Sequence, residues 1–249
     1  MDPKRIALIN IGSNDQENTV GRGPIFSDGT FKYIPIPEDS DIKNIDFRFP
    51  NYTDLGIESY IDNEFRDLFV HNDPDFINMT YGHVQRGFGY EKILKQLEFS
   101  DILAFYSTLK YNNINSESRR KWINKDWGTY IIGAFSINGV YTQKEFVQLP
   151  FSIRKRFMNN PHYLRKEPKA DLWIAGHQNK LGLFKIAFPL DTTENLPNEF
   201  LSNNFQTSAK NKPPEKGYYR TAFKSKSNAS ELIRTILNHS KLNNSCNKT

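Results

Sequence analysis

Two apolar runs near the middle of the chain, Asp101 to Leu109 and Tyr130 to Ile137, restrict its fold more than any other feature. Both are rich in β-branched and aromatic residues, and both read as strong core strands. A pair of such strands needs a sheet around it and a core on it. Hydrophobic residues make up only 37% of the 249, but rings make up 14%, with 19 Phe and 12 Tyr. Each ring buries a large area, so a core assembles from rings where aliphatic residues are few. This composition excludes a disordered body.

Further elements follow from periodicity. Ile6 to Ile11 is a first buried strand. Thr30 to Ile36 alternates, and Pro35 and Pro37 mark it as an edge strand or strand end. Leu55, Ile57, Tyr60, Ile61, Phe65 and Leu68 recur near helical spacing and predict a helix over Thr53 to Phe69. Short helices are expected at Tyr90 to Leu97 and around Phe151 to Met158. Leu172 to Gly176 and Leu181 to Leu190 predict two strands around a polar turn at His177 to Lys180. Leu232, Ile233, Ile236 and Leu237 form the stripe of a terminal helix over Ser227 to His239, capped by Ser227 or Ser230. The irregular alternation of strands and short helices points to an α+β protein.

Charge and cysteine content limit the chemistry. The net charge is +5, unevenly spread. Glu38 to Asp75 holds eleven acids against Lys43, Arg48 and Arg66. Ser152 to Lys169 holds six Lys/Arg against Glu167, and Phe205 to Lys226 six against Glu215. Segregated positive charge is the footprint of a polyanion binder, or a solvated basic surface. The one cysteine, Cys246, allows no internal disulfide and no cysteine-based zinc site, which excludes a deaminase His/Cys/Cys centre. The first apolar run is too short to span a membrane and lacks a signal-peptide pattern, which predicts a cytoplasmic protein with no membrane partner. There is no Walker loop, dinucleotide fingerprint, nucleophile elbow or His-Glu-x-x-His, so no cofactor is specified.

Four constellations carry candidate chemistry. Arg22 stands between two glycines, where the backbone approaches a ligand closely; its planar fork suits a phosphate or a guanine edge, and an exposed loop Arg is the plain alternative. Phe26 follows in the same run. His71, Asp73, Asp75 and His83 cluster in a long loop and offer acid and base groups. Their spacing matches no metal signature, so no metal is assigned. Asp73 or Asp75 is the expected general base if the protein is an enzyme, with His71 beside it. Tyr81, Phe88, Tyr106 and Trp127 are expected to meet a base, the tyrosines and Phe88 by stacking on its face. The segments SIRKRFMNNPHYLRKEPK and KGYYRTAFKSK interleave cations with rings, as single-stranded or flipped-base nucleic acid requires. Arg154, Lys155, Arg156, Arg165, Lys166, Lys180 and Arg220 are the candidate backbone contacts.

Two resemblances join these stretches. Leu97 to Tyr141 resembles the middle of PUA-like barrels of the EVE and ASCH kind, although Ser100 stands where those families usually have Gly. Arg22 to Glu38, His71 to Phe76, Thr80 to Gly82 and Phe105-Tyr106 together resemble the third of the nucleotide modification-associated domain families, from about Ile6 to Leu190. The resemblances imply one elaborated α+β domain over 1–240. Its sheet is expected to be mixed or antiparallel and curved, a PUA-like barrel at about 90–190. Peripheral helices, N- and C-terminal extensions and a disordered tail at 241–249 complete the expectation. The implied function is recognition or processing of a modified base or nucleotide in DNA or RNA. The alternatives are an enzyme of glycosylase or transferase type and a protein-interaction module.

Overall fold

The computed structural model describes residues 2–13, 20–38, 49–84, 90–113, 118–167, 169–191, 199–207, 223–226 and 228–240. Its frame is one mixed sheet. Strands β1 (Ile6–Asn10), β2 (Gly23–Ile25), β5 (Thr80–His83), β6 (Ile102–Tyr111), β7 (Trp127–Thr142), β8 (Leu172–Pro189), β9 (Phe205–Thr207) and β10 (Phe223–Ser225) belong to it. The order is β5-β8-β7-β6-β1-β10-β9, with β2 also on β6. Pairing is antiparallel except for β1 and β2, which run parallel to β6. A small second sheet pairs β3 (Ile36–Pro37) with β4 (Val70–His71).

The expected α+β class holds, and the described strands form a large mixed sheet with no closed barrel among them. The strand path ends on β5 at one side and β9 at the other, and among the described residues these ends do not pair. The central strands are covered on both faces, so they read as unbroken apolar runs. Alternate residues of β6 and β1 divide between two cores. Leu103, Phe105, Ala7 and Ile9 join one with Tyr81, Met79, Tyr130 and Phe135. Ile102, Ala104, Tyr106, Ile6 and Leu8 join the other with Phe188, Leu201, Phe205, Leu232 and Ile236. Among the described residues the helices are α1 (Tyr90–Leu94), α2 (Gln143–Phe146), α3 (Phe151–Arg154), α4 (Pro161–Leu164), α5 (Glu199–Asn204) and α6 (Ala229–Ser240), and α5 and α6 close the second core. At the start of α6 Asn228 Oδ1 accepts from Glu231 N; of the two expected caps, Ser230 lies inside the helix and Ser227 lies outside the described residues.

Three local expectations are corrected. Residues 53–69 form 3-10 turns at Glu58–Tyr60 and Asn63–Phe65 instead of a helix. Their apolar spacing serves a satellite core of Val20, Ile34, Tyr52, Ile57, Ile61 and Val70. Thr30 to Ile36 contributes only a bridge, Phe31 to Ile25, before β3. Leu172 to Leu190 is not a hairpin. Gly176 pairs with Ile137 and Leu181 with Phe135, both on β7, so residues 177–180 bulge from one ladder that resumes in the same direction. No helix among the described residues is long and apolar enough to cross a membrane.

Candidate functional site

The turn between β4 and β5 is built by Asp75. Its Oδ1 accepts from Ile77 N at 2.9 Å and Asn78 N at 3.0 Å, and its Oδ2 accepts from Asn78 Nδ2 at 2.7 Å. Asp75 and Thr80 exchange both backbone hydrogen bonds, and Met79 takes the left-handed conformation at φ 54° that closes the loop. Both carboxylate oxygens of Asp75 thus serve its own turn. This occupancy argues against a general-base role for Asp75.

The same turn carries Gly82 back to Asp73. Gly82 N donates to Asp73 Oδ1 and Oδ2 at 3.2 and 3.1 Å. Asn160 Nδ2 donates to Oδ1 at 2.7 Å. His162 Nε2 stands 3.7 Å from Oδ2. Asn160 and His162 arrive on α4 (Pro161–Leu164), where Asn160 is the N-cap, accepting from His162 N at 3.1 Å, and Pro161 occupies the first turn. Gly82 admits the imidazole because a Cβ there would overlap His162 Cδ2 and lie 2.9 Å from Cγ.

His71, at the end of β4, completes the cluster. Its ring meets that of His162 edge to face, with centroids 4.8 Å apart. Its Nδ1 lies 2.8 Å from Glu38 Oε2. Glu38 is fully buried at the side chain, and its other oxygen accepts from Arg165 Nη2 at 2.8 Å. One potential ligand atom from each of His71, Asp73 and His162 lies within 4.8 Å of the others. Side-chain exposure falls from 15% at His71 to 6% at His162 and 2% at Asp73, so His71 is the open member.

Burial governs the electrostatics. It raises the Asp73 carboxyl well above the carboxylate range, against the lowering effect of the Asn160 and Gly82 hydrogen bonds. It lowers the His162 imidazole well below its ordinary value, and the electrostatic influence of the neighbouring His71 and Arg165 adds to this. Both shifts favour uncharged partners. His83, buried next to the Tyr81 hydroxyl at 3.3 Å, is lowered by burial as well.

The other sequence candidates do not gather here as a group. Tyr81 belongs to β5 beside Gly82, but its ring is buried against Phe105 at 5.7 Å instead of lining an open wall. Tyr106 is fully buried in the core on the opposite face of the sheet, because β6 alternates. Arg22 stacks its guanidinium over Trp127 at 4.2 Å, near the end of β6 where Lys110 pairs with Trp127. Phe26 packs edge to face with Tyr60 at 6.1 Å. Arg156 donates to the Asn78 and Gly176 carbonyls, at 3.0 and 2.6 Å, and Arg154 Nε to Leu149 O at 3.1 Å. Arg165 is tied to Glu38. Lys155, Lys166 and Lys180 are exposed. Arg220, Phe88 and the tail at 241–249 lie outside the described residues.

Sequence reasoning missed Glu38, Asn160 and His162 as site residues. Asn160-Pro161 is a helix-start signal that marks Asn160 as a cap, but nothing local ties it to Asp73. His162 sits in a basic, ring-rich run and reads there as one stacking group among several.

No curated protein and no solved structure matched the chain. A family model described as nucleotide modification associated domain 3 matches residues 5–235.

Proposed function

The chain belongs to the nucleotide modification associated domain 3 family, which gives it a role related to nucleotide modification, and we propose that it performs a step of that chemistry at the His71, Asp73 and His162 cluster. The observation that carries this reading is the convergence of two histidines and a buried carboxyl on one point. Burying ionisable groups is costly, and groups shifted together in this way concentrate at reaction centres. Glu38 and Arg165 fix the orientation of His71, and Asn160 and Gly82 fix that of Asp73. A preorganised set of this kind is what catalysis needs and a simple packing role does not. The substrate class is a nucleotide or a base in nucleic acid. Lys155, Lys166 and Lys169, exposed on and just after the segment that delivers Asn160 and His162, are the cations assigned to its phosphates.

Incubation with nucleotides and with single- and double-stranded oligonucleotides, read by intact mass, tests the reading. A changed mass that disappears in Asp73→Asn supports it. Oligonucleotide binding with no mass change would replace it with a reader of modified bases.

A further inference from the structure

We propose that His71, Asp73 and His162 form a binding site for one divalent first-row transition-metal ion. The inference rests on the same cluster as the function above and specifies what the cluster holds. The distances carry it. His162 Nε2 and Asp73 Oδ2 stand 3.7 Å apart, too far for a hydrogen bond. With metal–nitrogen and metal–oxygen bonds of about 2.0–2.2 Å, two tetrahedral ligands of one ion stand about 3.3–3.6 Å apart. The gap between the two groups therefore has nearly the width that an ion between them would set. The ligand atoms of the whole triad lie within 4.8 Å of one another.

The surroundings are those of a ligand set. A metal-bound histidine usually gives its other nitrogen to a carboxylate, which fixes the ring and raises its basicity. His71 Nδ1 makes that contact with Glu38 at 2.8 Å, which leaves Nε2 for the ion. Arg165 holds Glu38 from its far side. Oδ1 of Asp73 accepts from Asn160 as well as from Gly82 N, whereas Oδ2 has only its share of the Gly82 N–H and is the oxygen turned toward His162. Two imidazoles and one carboxylate, with the His71 side still partly open, suit Zn(II), Fe(II) or Co(II) with a further position for water or a substrate oxygen. An ion there would polarise a phosphoryl or carbonyl oxygen or activate a water.

The test uses the full-length protein after chelation. Titration with Co(II), followed by visible absorption and by calorimetry, is expected to give one equivalent bound. His71→Ala and His162→Ala are expected to abolish it. Glu38→Gln is expected to keep the stoichiometry and weaken binding by about 10–100-fold. Far-UV circular dichroism checks each variant for folding, and His71→Ala, the most open position, serves if His162→Ala does not fold. Absence of saturable binding by the wild type, or binding indifferent to His71→Ala, overturns the proposal. Nucleotide conversion that needs Asp73, found together with no saturable metal binding, overturns it and leaves the proposed function standing. Stoichiometric metal binding that follows the ligands, with no nucleotide converted, keeps this site and removes the enzyme reading.

Discussion

Asn160 and Asp73 are joined by a 2.7 Å hydrogen bond between a helix cap and a buried carboxyl. The bond fastens the helical segment before β8 to the loop that follows β4. Asn160 is itself fully buried, and its Oδ1 caps α4 while its Nδ2 serves Asp73.

Asn160→Ala is therefore expected to remove a cap and the shorter of the two hydrogen bonds to a buried carboxyl oxygen together. The loss of stability should be about 1.5–5 kcal/mol, from a cap worth about 0.5–2 and a buried hydrogen bond worth about 1–3. Urea unfolding followed by tryptophan fluorescence measures it.

Asp73 and Asp75, two residues apart, should respond in different assays. Asp73→Asn keeps the volume of the side chain and is expected to abolish nucleotide conversion. Asp75→Ala breaks the turn hydrogen bonds to Ile77 and Asn78, and its expected signature is a stability loss of about 1–2 kcal/mol. Thermal melts and turnover, measured on both variants, separate the two roles.

Gly82→Ala places a methyl group against the His162 ring. The neighbouring atoms are core, so the ring must move or the strand must shift. A destabilisation of about 1–3 kcal/mol is expected. Nucleotide conversion should fall further than stability, because the displaced imidazole is part of the cluster. Melting temperature and turnover at a temperature well below the melt distinguish the two effects.

Asp191 supplies a pH dependence remote from the cluster. Burial raises its carboxyl from 3.8 to about 7, partly offset by hydrogen bonds from Thr129 and Asn124. The folded chain then keeps a proton that the unfolded chain has released, so the folded state binds more protons between those values. Stability from this group is full below pH 3.8, declines as pH rises and is gone above about 7. Asp191→Asn should flatten that decline, which chemical denaturation at a series of pH values records.

The sheet was legible where burial on both faces leaves a local trace. Residues 102–111 and 127–142 are nearly continuous apolar runs, and no other element accommodates them. Residues 53–69 were not legible. Leu55, Tyr60 and Phe65 have helical spacing, yet they pack on a small side core that needs only two 3-10 turns. The bulge at 177–180 was invisible because its polar composition matches that of a hairpin tip, and only pairing with β7 distinguishes the two. For the candidate site, His71 and Asp73 stood out because they share one loop. Glu38 and His162 did not, because their meeting depends on β3 pairing with β4 and on α4 docking over β5. Such long-range contacts have no counterpart in local spacing. The inward placement of Tyr106 was hidden for a similar reason: its neighbour Phe105 faces the Tyr81 core, and strand alternation sends Tyr106 the other way.

Trp173 lies on β8 opposite Gly82, stacks on Phe146 at 4.0 Å and meets Phe157 edge to face at 5.4 Å. Leu172 and Ile174, its neighbours along the strand, point into the main core, whereas Trp173 points into the cluster under the short helices. One indole thus acts as the keel of the segment bearing Asn160 and His162. Loosening it would let that segment drift while the large sheet stayed intact, and the polar centre would come apart in a molecule that still looks folded by its backbone.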